Sequence, residues 1–218
     1  MSTKEMSATL PKAVVLAAFV NDPGRNLESL DQEREKIAEV LGESNPDFEF
    51  MAIPDATSEN LWACFSEFGK RIVAFHFAGH ADGKAEKIIL KDEAGNNRGT
   101  LMEALADAEG LLPMLQFVFL NGCATSSGVR HFTSHRKLVI ATRAPVHDSI
   151  AKTFSEYFWK WLANNPSDNI ITAFDYAKSR IKDLDPIAFK ERFRDKTGVI
   201  DNDETLVNQW HGQQRHRP

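Results

Sequence analysis

Ile72-Val73-Ala74-Phe75-His76-Phe77-Ala78-Gly79-His80 is an apolar run too short for a helix, closed by a glycine and a histidine. Phe117-Val118-Phe119-Leu120-Asn121-Gly122-Cys123-Ala124-Thr125 repeats the pattern and delivers a cysteine instead. Both read as buried strands of a parallel sheet, each followed by a glycine-containing turn. Open α/β sheets bind ligands outside the carboxyl ends of their strands. If these two strands are neighbours, His80 and Cys123 meet where such folds carry out chemistry.

The rest of the chain supplies the sheet and its cover. Ala13 to Phe19 is a first buried strand, broken by the turn residues Asn21-Asp22-Pro23-Gly24. Leu27, Leu30, Ile37, Ala38 and Leu41 share one face of a helix predicted over 27–41. Phe48 to Ile53 is a second strand, and Thr57 or Ser58 caps a helix that buries Leu61, Phe65 and Phe68 and stops at Gly69. After the His80 strand, Lys87 to Lys91 and the turn-rich Asp92 to Gly99 predict a short strand or hairpin. Thr100 and Glu103 form a capping-box pattern for a helix carrying Leu101, Leu105 and Ala108. Leu138 to Thr142 is a further strand. Asp148 caps the strongest amphipathic helix, with Ile150, Phe154, Tyr157, Phe158 and Trp161 inward. A helix over 170–181 follows, and Asp185-Pro186 opens a last one through about Phe193.

Strand and helix thus alternate, the mark of a three-layer α/β/α sandwich with a mostly parallel central sheet. The expected organisation is one domain over residues 12–198, a mobile lead-in at 1–11 and a polar tail at 199–218. The length of 218 residues, with 42% hydrophobic and 26% charged, suits a single soluble domain. A net charge of -5 argues against nucleic acid as the main partner. Met1 to Leu10 lacks the apolar core of a signal peptide, and no apolar run is long enough to span a membrane, so a cytoplasmic protein is expected. Two cysteines make no disulfide framework.

Histidine beside cysteine suggests nucleophilic catalysis. The thiolate is the nucleophile, and an adjacent imidazole accepts its proton or pairs with it. Attack on a peptide carbonyl builds a negative oxygen that needs N–H donors. The small residues around Gly122-Cys123-Ala124 and Gly79-His80-Ala81 let backbone come close, so the amides of Cys123 and Ala81 are the candidate oxyanion donors. The competing reading is structural: a satisfied histidine and a buried thiol. His76 reads as a packed strand-end histidine, a group supporting the site, or a metal ligand. A zinc site of His76, His80 and Cys123 lacks any supporting Cys-x-x-Cys or His-Glu-x-x-His spacing. Cys64 reads as a small core residue, and His131 with His135 as an exposed pair. Neither Gly-x-Gly-x-x-Gly nor a Walker motif is present to hold a nucleotide.

The segments His76-Phe77-Ala78-Gly79-His80, Phe119-Leu120-Asn121-Gly122-Cys123-Ala124-Thr125 and Val139-Ile140-Ala141-Thr142-Arg143-Ala144-Pro145-Val146-His147-Asp148 together resemble the CHAT domain family. That family is a branch of the caspase, separase and gingipain group of cysteine peptidases. The resemblance covers roughly residues 13 to 182, and it is the three motifs in order that make it specific. It implies a caspase-like sandwich with His80 as base and Cys123 as nucleophile, a dyad needing no third carboxylate and no metal or organic cofactor. It implies a protein or peptide substrate, and a sensor or regulatory protein as partner of a bacterial effector. It also implies that the loop before the Asp148 helix contributes to the substrate pocket, which gives Asp148 a second reading beside its capping role. The residue after the histidine, often glycine in the wider superfamily, is Ala81 here; its methyl narrows the backbone angles that aim the amide. A caspase-like domain that keeps the fold and docks partners without catalysis is the alternative function.

Overall fold

The computed structural model describes residues 11–44, 48–133, 137–142, 146–186 and 197–200. Strands β1 (Ala13–Val20), β2 (Phe48–Pro54), β3 (Ile72–Gly79), β7 (Phe117–Asn121), β8 (Leu138–Thr142) and β9 (Thr197–Ile200) form one sheet in the order β2-β1-β3-β7-β8-β9. All neighbours run parallel except β9, which pairs antiparallel with β8. A smaller antiparallel sheet is made by β4 (Ala81–Asp82), β5 (Lys87–Lys91) and β6 (Asn97–Leu101), directly after β3.

Alternation along the strands decides what each face of the sheet packs against. Val14, Leu16, Ala18 and Val20 of β1 point to one face, against α2 (Ser58–Phe68), α3 (Met102–Ala106) and α4 (Val129–Thr133). Val15, Ala17 and Phe19 point to the other, with α1 (Leu30–Ser44), α5 (Asp148–Asn164) and α6 (Ile170–Leu184). The second face is rich in aromatic residues: Phe117, Phe119, Phe154, Phe158 and Trp159 meet edge to face or tilted, save Phe154 and Phe158, which stack. Burying β1, β3, β7 and β8 on both sides explains why they read as unbroken apolar runs.

The structure departs from the sequence reading at several points. α1 begins at Leu30 rather than Leu27, because Asn21 closes residues 21–27 into a loop. Its Oδ1 accepts the Leu27 amide at 2.9 Å and its Nδ2 donates to the Leu27 carbonyl at 3.3 Å. Thr100 is no cap; it lies in β6 opposite Ile88, and α3 starts at Met102 without a side-chain cap. Thr57 does cap α2, in a reciprocal pair with Asn60. His131 is half-buried on Glu86 rather than exposed. β9 is an edge strand that the sequence reading lacks, and it crosses the expected boundary at residue 198. The lead-in before Pro11, the helix expected to run to Phe193, the tail after Ile200 and His135 lie outside the described residues.

Candidate active site

β3 and β7 are neighbours, with Ala78 opposite Asn121. Their carboxyl ends therefore lead His80 and Cys123, both half-buried, to the wall of one cavity. The approach is close: a methyl on Gly122 would stand 2.8 Å from the Gly79 carbonyl oxygen, and one on Gly79 2.8 Å from that of Val20. Only glycine lets the two strand ends touch at this depth.

His80 is held from behind. Its Nε2 lies 2.6 Å from the carbonyl oxygen of Arg25, in the turn Pro23–Arg25 that follows β1. A carbonyl can only accept, so Nε2 carries the proton and, in the neutral ring, Nδ1 is left as the proton acceptor. The turn is fixed by Asp22, whose carboxylate accepts the Gly24 amide at 2.9 Å and Arg25 Nε at 3.1 Å. These bonds, that of Gly24 foremost, hold the Asp22 carboxyl below its ordinary value of 3.8.

Cys123 sits on a strained turn. Ala124 adopts φ 55° and ψ 33°, a left-handed conformation that L-residues other than glycine rarely take. Two buried threonines hold the turn in that form. Thr125 Oγ1 donates to the Leu120 carbonyl at 3.0 Å and accepts the Thr142 amide at 3.1 Å, while the Thr142 hydroxyl donates to the Gly122 carbonyl. β8 thus ties down the loop that follows β7.

Ala81 begins β4 on the other side of the cysteine turn. The Ile89 amide donates to the His80 carbonyl at 2.9 Å, making residues 80 and 89 the hydrogen-bonded pair of this ladder. The next pair, Ala81 with Ile88, is of the non-hydrogen-bonded kind, and the Ala81 N–H turns away from β5. Ala81 is not among the non-glycine residues of positive φ, so the alanine fits its strand without backbone strain. The loop after it lies on the cysteine turn: a methyl on Gly83 would come within 2.6 Å of the Ala124 carbonyl oxygen. Glu86 fastens the same loop to α4 through Arg130 at 2.9 Å and His131 at 2.8 Å.

The cavity, about 30 Å³, is walled by Leu27, Leu30, Val146 and Ala151 as well as by the strand ends. Asp148 lines it but does not cap its own helix. Its Oδ2 accepts the Ser29 amide at 2.7 Å, at the amino end of α1, so it joins α5 to α1 instead. His76 does not line the cavity. It is 0% exposed, ringed by Phe19, Phe119 and Trp159, and its Nε2 donates to Glu33 Oε1 at 3.1 Å. Glu33, 2% exposed, lines the cavity and accepts Asn121 Nδ2 on the same oxygen at 2.8 Å; Asn121 Nδ2 also reaches Ser155 Oγ at 3.1 Å. A broader groove of about 550 Å³ borders Pro23 and Asn26 of the turn that holds His80, with Asp55, Lys91 and Asp92 around it.

The sequence marks five residues. His80, Cys123 and Asp148 converge on the cavity, Ala81 adjoins His80 in the chain, and His76 stands behind through Glu33. Glu33 and Ser155 are absent from the sequence reading. Glu33 had a legible signal: it takes an inward position between Leu30 and Ile37 of the α1 stripe, where a carboxylate is out of place. Cys64 packs against the core, and burial, then Glu67, pushes its thiol up from the ordinary value. Among the described residues no group of three or more His, Cys, Asp or Glu is placed to hold a metal ion. Nor is any helix among them long and apolar enough to cross a membrane.

Solved structures share this architecture. The Arg-specific cysteine proteinase gingipain R matches with TM-score 0.62 at 15% identity, over 90% of this chain and 47% of that one. A secreted C11 cysteine protease from Bacteroides thetaiotaomicron, solved with an irreversible peptide inhibitor, matches with 0.60 at 10% identity, over 88% and 66%. The Drosophila initiator caspase Dronc matches with 0.58 at 10% identity, over 89% and 85%. The chain therefore spans about half of the gingipain chain and nearly all of the caspase. At these identities the likeness is one of fold: a caspase-like α/β sandwich. No family model matches the chain. No curated protein matches it either.

Proposed function

We propose that this protein is a cysteine endopeptidase with Cys123 as nucleophile and His80 as proton carrier. The observation that carries the reading is the adjacency of β3 and β7, which sets both residues on one cavity while the Arg25 carbonyl leaves His80 Nδ1 to accept a proton. The caspase-like fold, shared with several cysteine peptidases, supports it.

In this mechanism His80 Nδ1 takes the proton of the Cys123 thiol and the sulfur adds to the substrate carbonyl carbon. The amides of Ala81 and Cys123 receive the developing oxyanion. Collapse breaks the C–N bond, and His80 returns its proton to the departing amine. A water deprotonated by His80 then hydrolyses the thioester, releasing the acid and restoring the thiol. Ala124, strained beside the nucleophile, keeps the sulfur at the tip of the turn, a use of strain that suits a reactive residue. The further reading, a CHAT-type bacterial effector switched on by a sensor protein, rests on the three sequence motifs.

The test is cleavage of a diverse peptide library by the protein and by Cys123→Ala, alone and with candidate sensor proteins added. Cleavage lost in the variant is expected; equal cleavage by both sinks the nucleophile assignment. An inert Cys123 and no cleavage under any condition would favour a non-catalytic docking domain.

A further inference from the structure

A buried polar cluster that takes no part in the proposed reaction reaches the cavity wall through Glu33 and Asn121. Glu33 of α1, His76 of β3, Asn121 of β7 and Ser155 of α5 are 2%, 0%, 9% and 0% exposed. Glu33 Oε1 accepts from His76 Nε2 and Asn121 Nδ2, and Asn121 continues to Ser155. A carboxylate sunk into an aromatic core is costly, so the bonds that hold it there specify a geometry.

Two connections show which geometry. Asn121 stands two residues before Cys123 and is the last residue of β7, so its side chain fixes where the cysteine turn departs. Glu33 belongs to the first turn of α1, which follows directly on the loop whose Arg25 carbonyl orients His80. The Glu33 amide also bonds to the Ser29 carbonyl at 2.9 Å, and the Ser29 amide is held by Asp148 from α5. Glu33 is thus the junction between the segment that aims the histidine and the segment that presents the cysteine.

Building on the proposed dyad, we infer that Glu33 is a positioning residue, which through Asn121 and α1 sets the register of Cys123 against His80. It touches no reacting atom. Its action is geometric, and a reacting pair displaced by about an ångström can lose two orders of magnitude in rate.

The test is iodoacetamide alkylation of Cys123 in the full chain carrying Cys64→Ala, with thermal unfolding run alongside. Glu33→Gln keeps an oxygen that can accept both bonds, and alkylation within about threefold of the parent is expected. Glu33→Met fills the space without accepting, and a slowing of about tenfold or more is expected. Combined with His80→Ala, Glu33→Met should add nothing further, since a positioning residue acts only through the pair it positions. A purely structural role would slow both backgrounds alike. If Glu33→Met does not fold, Ser155→Ala removes one partner of Asn121 and should give an intermediate slowing that again vanishes without His80. Parent-like rates in these variants, or equal slowing with and without His80, overturn the inference while leaving the dyad standing. If His80→Ala alone has no effect on alkylation, the dyad itself falls, and the inference with it.

Discussion

The Nε2 of His80 donates to the main-chain carbonyl of Arg25 at 2.6 Å, so the orientation of the histidine depends on a three-residue turn rather than on another side chain. That turn depends in turn on Asp22, which bonds Gly24 and Arg25. If His80 activates Cys123, Asp22→Ala is expected to slow Cys123 alkylation several-fold, because the half-buried carboxylate holds the turn whose Arg25 carbonyl aims the histidine.

Acid pH should act on the same turn late. The Asp22 carboxyl is lowered in the folded chain, chiefly by the Gly24 amide, from an ordinary value of 3.8. A lowered group contributes its full stabilisation above the unfolded value and loses it only as pH falls through the lower folded value. Carboxylate NMR should therefore find Asp22 still ionised at pH 3.8, when unshifted surface carboxyls are already half protonated.

The two cysteines should separate cleanly under a thiol reagent. Burial, then Glu67, raises the Cys64 thiol, so little of it is thiolate at neutral pH and it should label slowly. If Cys123 is the activated thiol, peptide mapping after brief exposure to iodoacetamide at pH 7 will find it modified first. The reverse order would contradict the proposed nucleophile.

Stability has its own test in the buried cluster. His76→Leu leaves the Glu33 carboxylate in the core with Asn121 as its remaining partner among the described residues. Taking one donor from a buried hydrogen-bonded acceptor costs about 1 to 3 kcal/mol, read as a lower urea midpoint with the slope unchanged. Gly122→Ala presses a methyl to 2.8 Å from the Gly79 carbonyl oxygen. Overpacking of this kind costs about 1 to 3 kcal/mol, and here it also drives the strand ends apart, so Cys123 reactivity should fall with stability.

Selectivity is open to a library experiment. In the proposed peptidase, the cavity beside Cys123 is edged by Asp148 and by the buried Glu33 and, among the described residues, by no lysine or arginine. Substrates with aspartate or glutamate immediately before the cut should be depleted among cleaved peptides. Enrichment of acidic residues there would show that this cavity is not where that side chain goes.

Much of this could be read from the chain because its strands announce themselves. β1, β3, β7 and β8 are buried on both faces and leave unbroken apolar runs, and glycines at the ends of β3 and β7 mark where the strands touch. What escaped is what composition does not encode. The Arg25 carbonyl is main chain and carries no residue signature. Asp148 looks like a cap for α5, and its use by Ser29 requires knowing that α1 and α5 lie together. Ala124 gives no hint of a left-handed turn, since that conformation is imposed by Thr125, Thr142 and the loop of Gly83.

The threonine ties also have a consequence in time. Thr142 belongs to β8, and it secures the Gly122 carbonyl and, through Thr125, the rest of the cysteine turn. Contacts this distant in sequence close late, after the loops between them have lost their freedom. During refolding, the left-handed form of Ala124 can be held only once β8 has docked beside β7. Native thiol reactivity at Cys123 should therefore emerge after helical signal and collapse, so that a stopped refolding reaction quenched with iodoacetamide reads the completion of the sheet.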